Sequence, residues 1–269
     1  MTFLSDTHCH LYMQDFEDDL DKVIENASAA GIRKILVPGI DAGTSQESIT
    51  LSQTFPEYIY AAVGIQPNSS SGVKRSDLDL IESQATLPNV VAIGEIGLDF
   101  YREKASVDDQ VFVFKKMLSI SKETEKPVCL HNRDADKLIL EILDEWYADL
   151  VKSSSNLATF PGVFHSFDGS HTVAEWAQTH NFFLGISGPV TFSKALNLQD
   201  QIRDIDLSHL LVETDSPYLS PHPFRGKRNE PAYARLIYEK IAELKQIGVD
   251  EVVSTTSENA NALFGWGAP

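Results

Sequence analysis

"FLSDTH" (3–8) followed by "FEDDLDKVIENASAAG" (16–31) is the stretch on which the fold turns. The first run is short, apolar at its start and polar at its end, as a strand that runs out of the core would be. The second puts Leu20, Val23, Ile24 and Ala27 at helical spacing and stops at Gly31. Together they make one β-then-α unit, and the fold depends on how often that unit recurs.

It recurs along the whole chain. "KILVPG" (34–39) precedes a predicted helix over 44–54, and "IYAAVGI" (59–65) one near 76–86. "VVAIGEIG" (90–97) leads to a long helix over 107–123, and "PVCLH" (127–131) to one over 134–151. "GVFHSF" (162–167) precedes 171–179, "FFLGIS" (182–187) precedes a weaker helix at 194–203, and "HLLVETD" (209–215) is followed by helices over most of the remainder. "SSSNL" (153–157) reads as a surface loop. Strands joined through helices are parallel, because each crossover returns the chain to the same end. The strand runs are short and β-branched, as strands covered by helices are. Eight such units predict a closed (β/α)8 TIM barrel, a single domain over 1–269. An open doubly wound sheet is the alternative, but no Gly-rich dinucleotide turn follows the first strand.

The 269 residues, 42% hydrophobic and 23% charged, suffice for a full core. No apolar run is long enough to span a membrane, and no basic-then-apolar leader marks a secretion signal. Cys9 and Cys129 are the only cysteines, which argues against a disulfide scaffold and predicts a reducing, cytoplasmic setting. The formal net charge of −17 opposes long-range attraction to polyanions, while leaving room for a local cationic site. Nothing in the sequence sets the oligomeric state.

His8 and His10 lie two apart at the end of the first strand, so their side chains share a side while Cys9 faces away. A barrel gathers its site from the C-terminal ends of its strands. Glu95 ("GEIGLD"), His131 ("LHNRD"), His165 ("FHSFDG") and Asp215 ("ETDSP") fall at those ends of predicted strands four, five, six and eight. Taken singly, each has an ordinary structural explanation, such as a capped loop or a surface histidine. Their coincidence at one barrel end favours a metal site. Four imidazoles and two carboxylates suit Zn²⁺, Mn²⁺, Ni²⁺ or Mg²⁺. Six ligands exceed one tetrahedral site and suit two divalent ions bridged by a carboxylate and a water, for which Glu95 is the best candidate.

These motifs resemble the TatD family of metal-dependent hydrolases, within the amidohydrolase-like barrel superfamily. "DTHCHL", "GEIGLDFY", "LHNR", "FHSFDG", "RNEP" and "VETDSPYL" carry the resemblance, which covers nearly the whole chain. It implies hydrolysis of ester bonds, with deoxyribonuclease activity the usual assignment. By residue, it implies His8, His10, Glu95 and Asp215 around one metal and Glu95, His131 and His165 around the other. Family members usually read G-x-H-P-H after the third strand. Here the stretch is "GIQPN", which puts Gln66 and Asn68 on the expected substrate-facing rim, and neither side chain becomes cationic.

The expected mechanism is attack on phosphorus by a metal-activated water, with Asp215 orienting the water and accepting its proton. Glu95 and Asp215 are thus the expected catalytic carboxylates. Arg133, Gln66 and Arg225 are the expected substrate contacts, with Lys227 and Arg228 completing a short basic loop. Tyr101 and Phe100 are candidates for base stacking. The expected partner is DNA, single-stranded or at strand ends. A small ester substrate is the alternative, with amides, lactones or small phosphoesters hydrolysed on the same barrel.

Overall fold

In the computed structural model, which describes residues 3–102 and 104–266, every expected strand is present and followed by its helix. The outermost residues of the expected domain, 1–2 and 267–269, lie outside the described residues. The first four units are β1 (Leu4–Asp6), α1 (Leu20–Ala29), β2 (Ile32–Pro38), α2 (Ala42–Thr54), β3 (Ile59–Val63), α3 (Arg75–Ala85), β4 (Val90–Asp99) and α4 (Val107–Thr124). The second four are β5 (Val128–Arg133), α5 (Asp136–Lys152), β6 (Gly162–Phe164), α6 (His171–Thr179), β7 (Phe183–Ile186), α7 (Leu196–Asp204), β8 (Leu210–Val212) and α8 (Ala234–Lys245), with α9 (Val249–Phe264) added at the end. Side-chain caps fix several helix starts: Asp41 accepts from Thr44 N at 2.8 Å, and Ser106 and Ser170 do the same for α4 and α6. Among the described residues no helix is long and apolar enough to cross a membrane.

The strands pair in sequence order, β1 through β8, all parallel. The seam between β8 and β1 closes just past the strands. Thr7 N donates to Val212 O at 3.1 Å, Asp215 N to His8 O at 2.8 Å and His10 N to Ser216 O at 2.8 Å. Asp6 reinforces the seam from inside, accepting from Thr214 N at 2.8 Å and Thr214 Oγ1 at 2.6 Å.

Alternation along each strand divides the core in two. Leu36, Ala62, Ala92, Cys129, Val163, Phe183 and Leu211, one from each of β2 to β8, pack together inside the barrel. Leu263, Phe264 and Trp266, at the end of α9, join that cluster and stopper the N-terminal end. Neighbours such as Ile35, Val37, Ile93 and Leu130 face outward into the larger cluster under the helices.

Two local expectations change. "SSSNL" is not only loop: Asn156–Thr159 forms a 3-10 turn that buries Leu157, because this one apolar residue finds space beneath it. The fourth strand does not end near Glu95 but runs on to Asp99, paired with β5 as far as Asp99–Arg133. Two residues of β4, Gly94 and Glu95, lie between Ile93 and Ile96 where one residue of β5, Cys129, lies between Val128 and Leu130, so Glu95 sits on a bulge. Gly97 makes the continuation possible: its φ is 140°, and a Cβ there would lie 1.9 Å from His131 O.

Candidate metal centre

The bulge turns the Glu95 carboxylate into the mouth of the barrel, where it meets histidines from three other strands. Its two oxygens face two different pairs of nitrogens. Oε2 lies 3.6 Å from His8 Nε2 and 3.7 Å from His10 Nε2. Oε1 lies 2.8 Å from His131 Nδ1 and 3.3 Å from His165 Nε2. Within the pairs, His8 Nε2 and His10 Nε2 are 3.2 Å apart, and His131 Nδ1 and His165 Nε2 are 3.1 Å apart. Asp215 Oδ1 joins the first group, 3.8 Å from His8 Nε2 and 3.4 Å from His10 Nε2.

These separations have a simple meaning. Ligand atoms about 2.1 Å from one small divalent cation stand about 3.0–3.4 Å from one another. Both groups approach that edge length, so the donors fit two metal nests sharing Glu95. The ring tautomers agree. His131 Nε2 faces Asp99 Oδ2 at 3.2 Å, and a carboxylate that also takes N–H donors from Tyr101, Arg102 and Asn68, each at 3.0 Å, is an acceptor only. His131 therefore carries its proton on Nε2 and turns the Nδ1 lone pair to Glu95. His10 Nδ1 lies 3.2 Å from Pro38 O, which can only accept, and 2.9 Å from Tyr12 OH, so its lone pair is on Nε2. The inward-facing nitrogens of His131 and His10 thus carry lone pairs and could serve as ligand atoms.

Electrostatics point the same way. Burial pushes Glu95 up, but His165, His131 and His8 outweigh it and hold the carboxyl well below its usual range. Asp215 is likewise pushed up by burial and held down by His10, His165 and His8. Two buried carboxylates thus stay charged at neutral pH with no lysine or arginine paired to either among the described residues. The counter-charge comes from the neighbouring imidazoles, with His165 and His131 pushed up against burial by the carboxylates they face, and divalent cations held there would take over that role from neutral rings.

All six sequence-predicted ligands meet at one site. The substrate residues fare less uniformly. Arg133 ends β5 half-buried, its guanidinium stacked 3.8 Å from the ring centre of Tyr101, which is 62% exposed. It makes no pair with Asp134 or Asp136; Asp136 instead takes Asn132 at 2.7 Å and Ser170 at 2.6 Å. Gln66 caps the 3-10 turn after β3 and is half-buried. Arg225 is exposed, with its guanidinium 4.6 Å from the Phe192 ring centre. Two expectations are corrected. Asn68 does not face the rim, because its amide is drawn inward to Asp99. Arg228 is not available to substrate, because it grips Asp19 at 2.7 and 2.8 Å and Glu230 at 2.9 Å. Phe100 packs against the core, leaving Tyr101 as the exposed ring.

Sequence reasoning missed Asp99, Tyr12 and Glu213. Asp99 is four residues beyond Glu95 and Glu213 two before Asp215, even offsets that a same-side rule along a strand would have singled out. Glu213 Oε1 accepts from Ser166 N at 2.5 Å and lies 3.7 Å from His165 Nδ1.

The family model for TatD-related DNases matches residues 5–265. An uncharacterized metal-dependent hydrolase, YabD, of Bacillus subtilis is 40% identical over 261 residues, covering 97% of this chain and 98% of that protein. The 3'-5' ssDNA/RNA exonuclease TatD of Erwinia amylovora is 32% identical, covering 97% and 99%. Among solved structures, the TatD homologue YjjV of Escherichia coli superposes with a TM-score of 0.89 at 28% identity, covering 99% and 98%.

Proposed function

The chain belongs to the TatD family of DNase-related metal-dependent hydrolases, and on that premise we propose that it is a two-metal nuclease acting on the ends of single-stranded nucleic acid. The single observation that carries this reading is the Glu95 carboxylate, one oxygen on His8 and His10 and the other on His131 and His165. Divalent ions drawn from Mg²⁺, Mn²⁺, Zn²⁺ or Ni²⁺ would be held by His8, His10, Glu95, His131, His165 and Asp215, and would supply a water acidified towards a pKa of about 7 and an electrophile for the phosphoryl group.

The chain's own residues do the rest. Asp215 turns Oδ1 to His8 and His10, and its other oxygen takes the proton of the attacking water. Arg133 offers its N–H fork to a phosphate oxygen. Tyr101, with one face on Arg133, presents the other to a base. Lys227 and Arg225, both exposed beyond β8, bring positive charge to a chain of net charge −17. One catalytic domain over 1–269 and a cytoplasmic location, the latter resting on two buried free cysteines, belong to the same reading. The small-ester alternative draws on the acidic surface and on "GIQPN", where Gln66 and Asn68 offer no cation, whereas the motif set favours the nuclease.

The test is digestion of end-labelled single-stranded DNA and RNA with added Mg²⁺ or Mn²⁺, beside a panel of lactones and phosphomonoesters. Stepwise shortening from one end is expected. Turnover of the small esters with intact oligonucleotides would overturn the assignment.

A further inference from the structure

Three buried polar atoms in the centre lack a hydrogen-bond partner: His8 Nδ1, His165 Nδ1 and Glu213 Oε2. Their residues are neighbours. The His8 and His165 rings stack with centroids 4.0 Å apart and planes 13° apart. One candidate ligand atom from each ring and one Glu213 oxygen lie within 4.8 Å of one another. Glu213 is 1% exposed, and Gly185 leaves the room for it, since a Cβ there would fall 2.2 Å from Oε2.

A third cation in this group is ruled out by lone-pair counting. A neutral imidazole has one lone pair, and His8 and His165 both turn Nε2 towards Glu95. Their Nδ1 atoms therefore carry protons, and a carboxylate is the acceptor they need. We propose that Glu213 is a positioning residue shared by the two nests: its carboxylate, 3.7 Å from His165 Nδ1 and within 4.8 Å of a His8 ring nitrogen, closes on the Nδ1–H of both rings when the nests are filled. This rests on the two-nest reading. It separates Glu213 from Asp99, which holds only His131 and so only one nest. A single carboxylate then fixes one ring in each nest, and its loss weakens both ions together.

Long-range ¹H–¹⁵N spectra of the Zn²⁺-loaded protein read the ring tautomers directly. Wild type should show His8 and His165 as Nδ1–H rings with hydrogen-bonded protons. In Glu213→Gln both should shift, His10 should not, and chelator competition should find both Zn²⁺ ions held about 10–100-fold more weakly. Glu213→Asp keeps the charge one methylene shorter and should move the same two rings by less, so a failure of the Gln variant to fold does not end the test. Unmoved rings in either folded variant, or movement of His165 alone, would overturn the sharing. None of these readouts uses a substrate. Uptake of only one Zn²⁺ by the wild type would sink the two-nest reading, whereas two ions with unmoved rings would sink this inference alone.

Discussion

Asp99 accepts from His131 at 3.2 Å and so decides which nitrogen of that ring faces the metal nest. The carboxylate is buried and takes three further N–H donors. Burial pushes it up, but His131 and Asn68 outweigh this and keep it charged far below neutral pH.

Replacing Asp99 by Asn offers His131 an amide that can present a donor instead of an acceptor. Metal at the His131–His165 nest should bind about 10–100-fold more weakly, with the other nest little changed. Asn68→Asp should weaken the same ion, because it sets a second carboxylate where Asn68 now donates at 3.0 Å. Competition with a chelator, followed by elemental analysis, distinguishes one lost ion from two.

Asp215→Asn keeps an oxygen near His8 and His10 but cannot take a proton from water. Turnover should fall by about 10²–10⁴-fold while much of the metal remains bound. A variant with near-normal turnover and full metal content would show that another group is the base.

Stripping the protein of divalent ions should abolish hydrolysis and lower stability as well, since Glu95 and Asp215 would be left charged and buried. A bound ion present at 100 times its dissociation constant adds about 2.7 kcal/mol. Melting curves with and without chelator, and after adding back each ion singly, measure both effects and identify the ion that restores activity.

Lys126 provides a pH test remote from the metals. It donates to Leu87 O at 2.9 Å, and burial pushes its ammonium down to about 8 from 10.5. Between those values the unfolded chain binds a proton that the folded chain does not, so stability should rise with pH through this window. Below about pH 8 the full cost of burying the charge is present. Lys126→Met should remove that slope; because the half-exposed ammonium is screened by solvent, the difference from wild type should change by at most on the order of 1 kcal/mol between pH 7.5 and 9.5. Urea unfolding at the two pH values measures it.

The strands and helices were legible because a strand needs alternation and a helix a 3.6-residue stripe, and both are written locally. "FEDDLDKVIENASAAG" gave α1 to within a few residues, and the six candidate ligands were picked out because a barrel collects strand ends. Asn68 and Arg228 were misplaced because a residue number does not say which way a side chain turns. Asp99 draws one amide inward, and Asp19, 209 residues away in the chain, captures the other's guanidinium.

By itself, then, the sequence determined the β/α repeat, the parallel pairing it forces and the ligand types at one end, since these follow from periodicity and chain connectivity. Only the tertiary structure decided that Glu95 splits its oxygens between two pairs of rings, that His131 turns Nδ1 inward, and that Glu213 lies under His8 and His165. Those outcomes depend on a one-residue bulge in β4 and on which distant rings Asp99 and Glu213 meet, and the chain's local pattern, which marks the two carboxylates by their even offsets, does not say which rings those are.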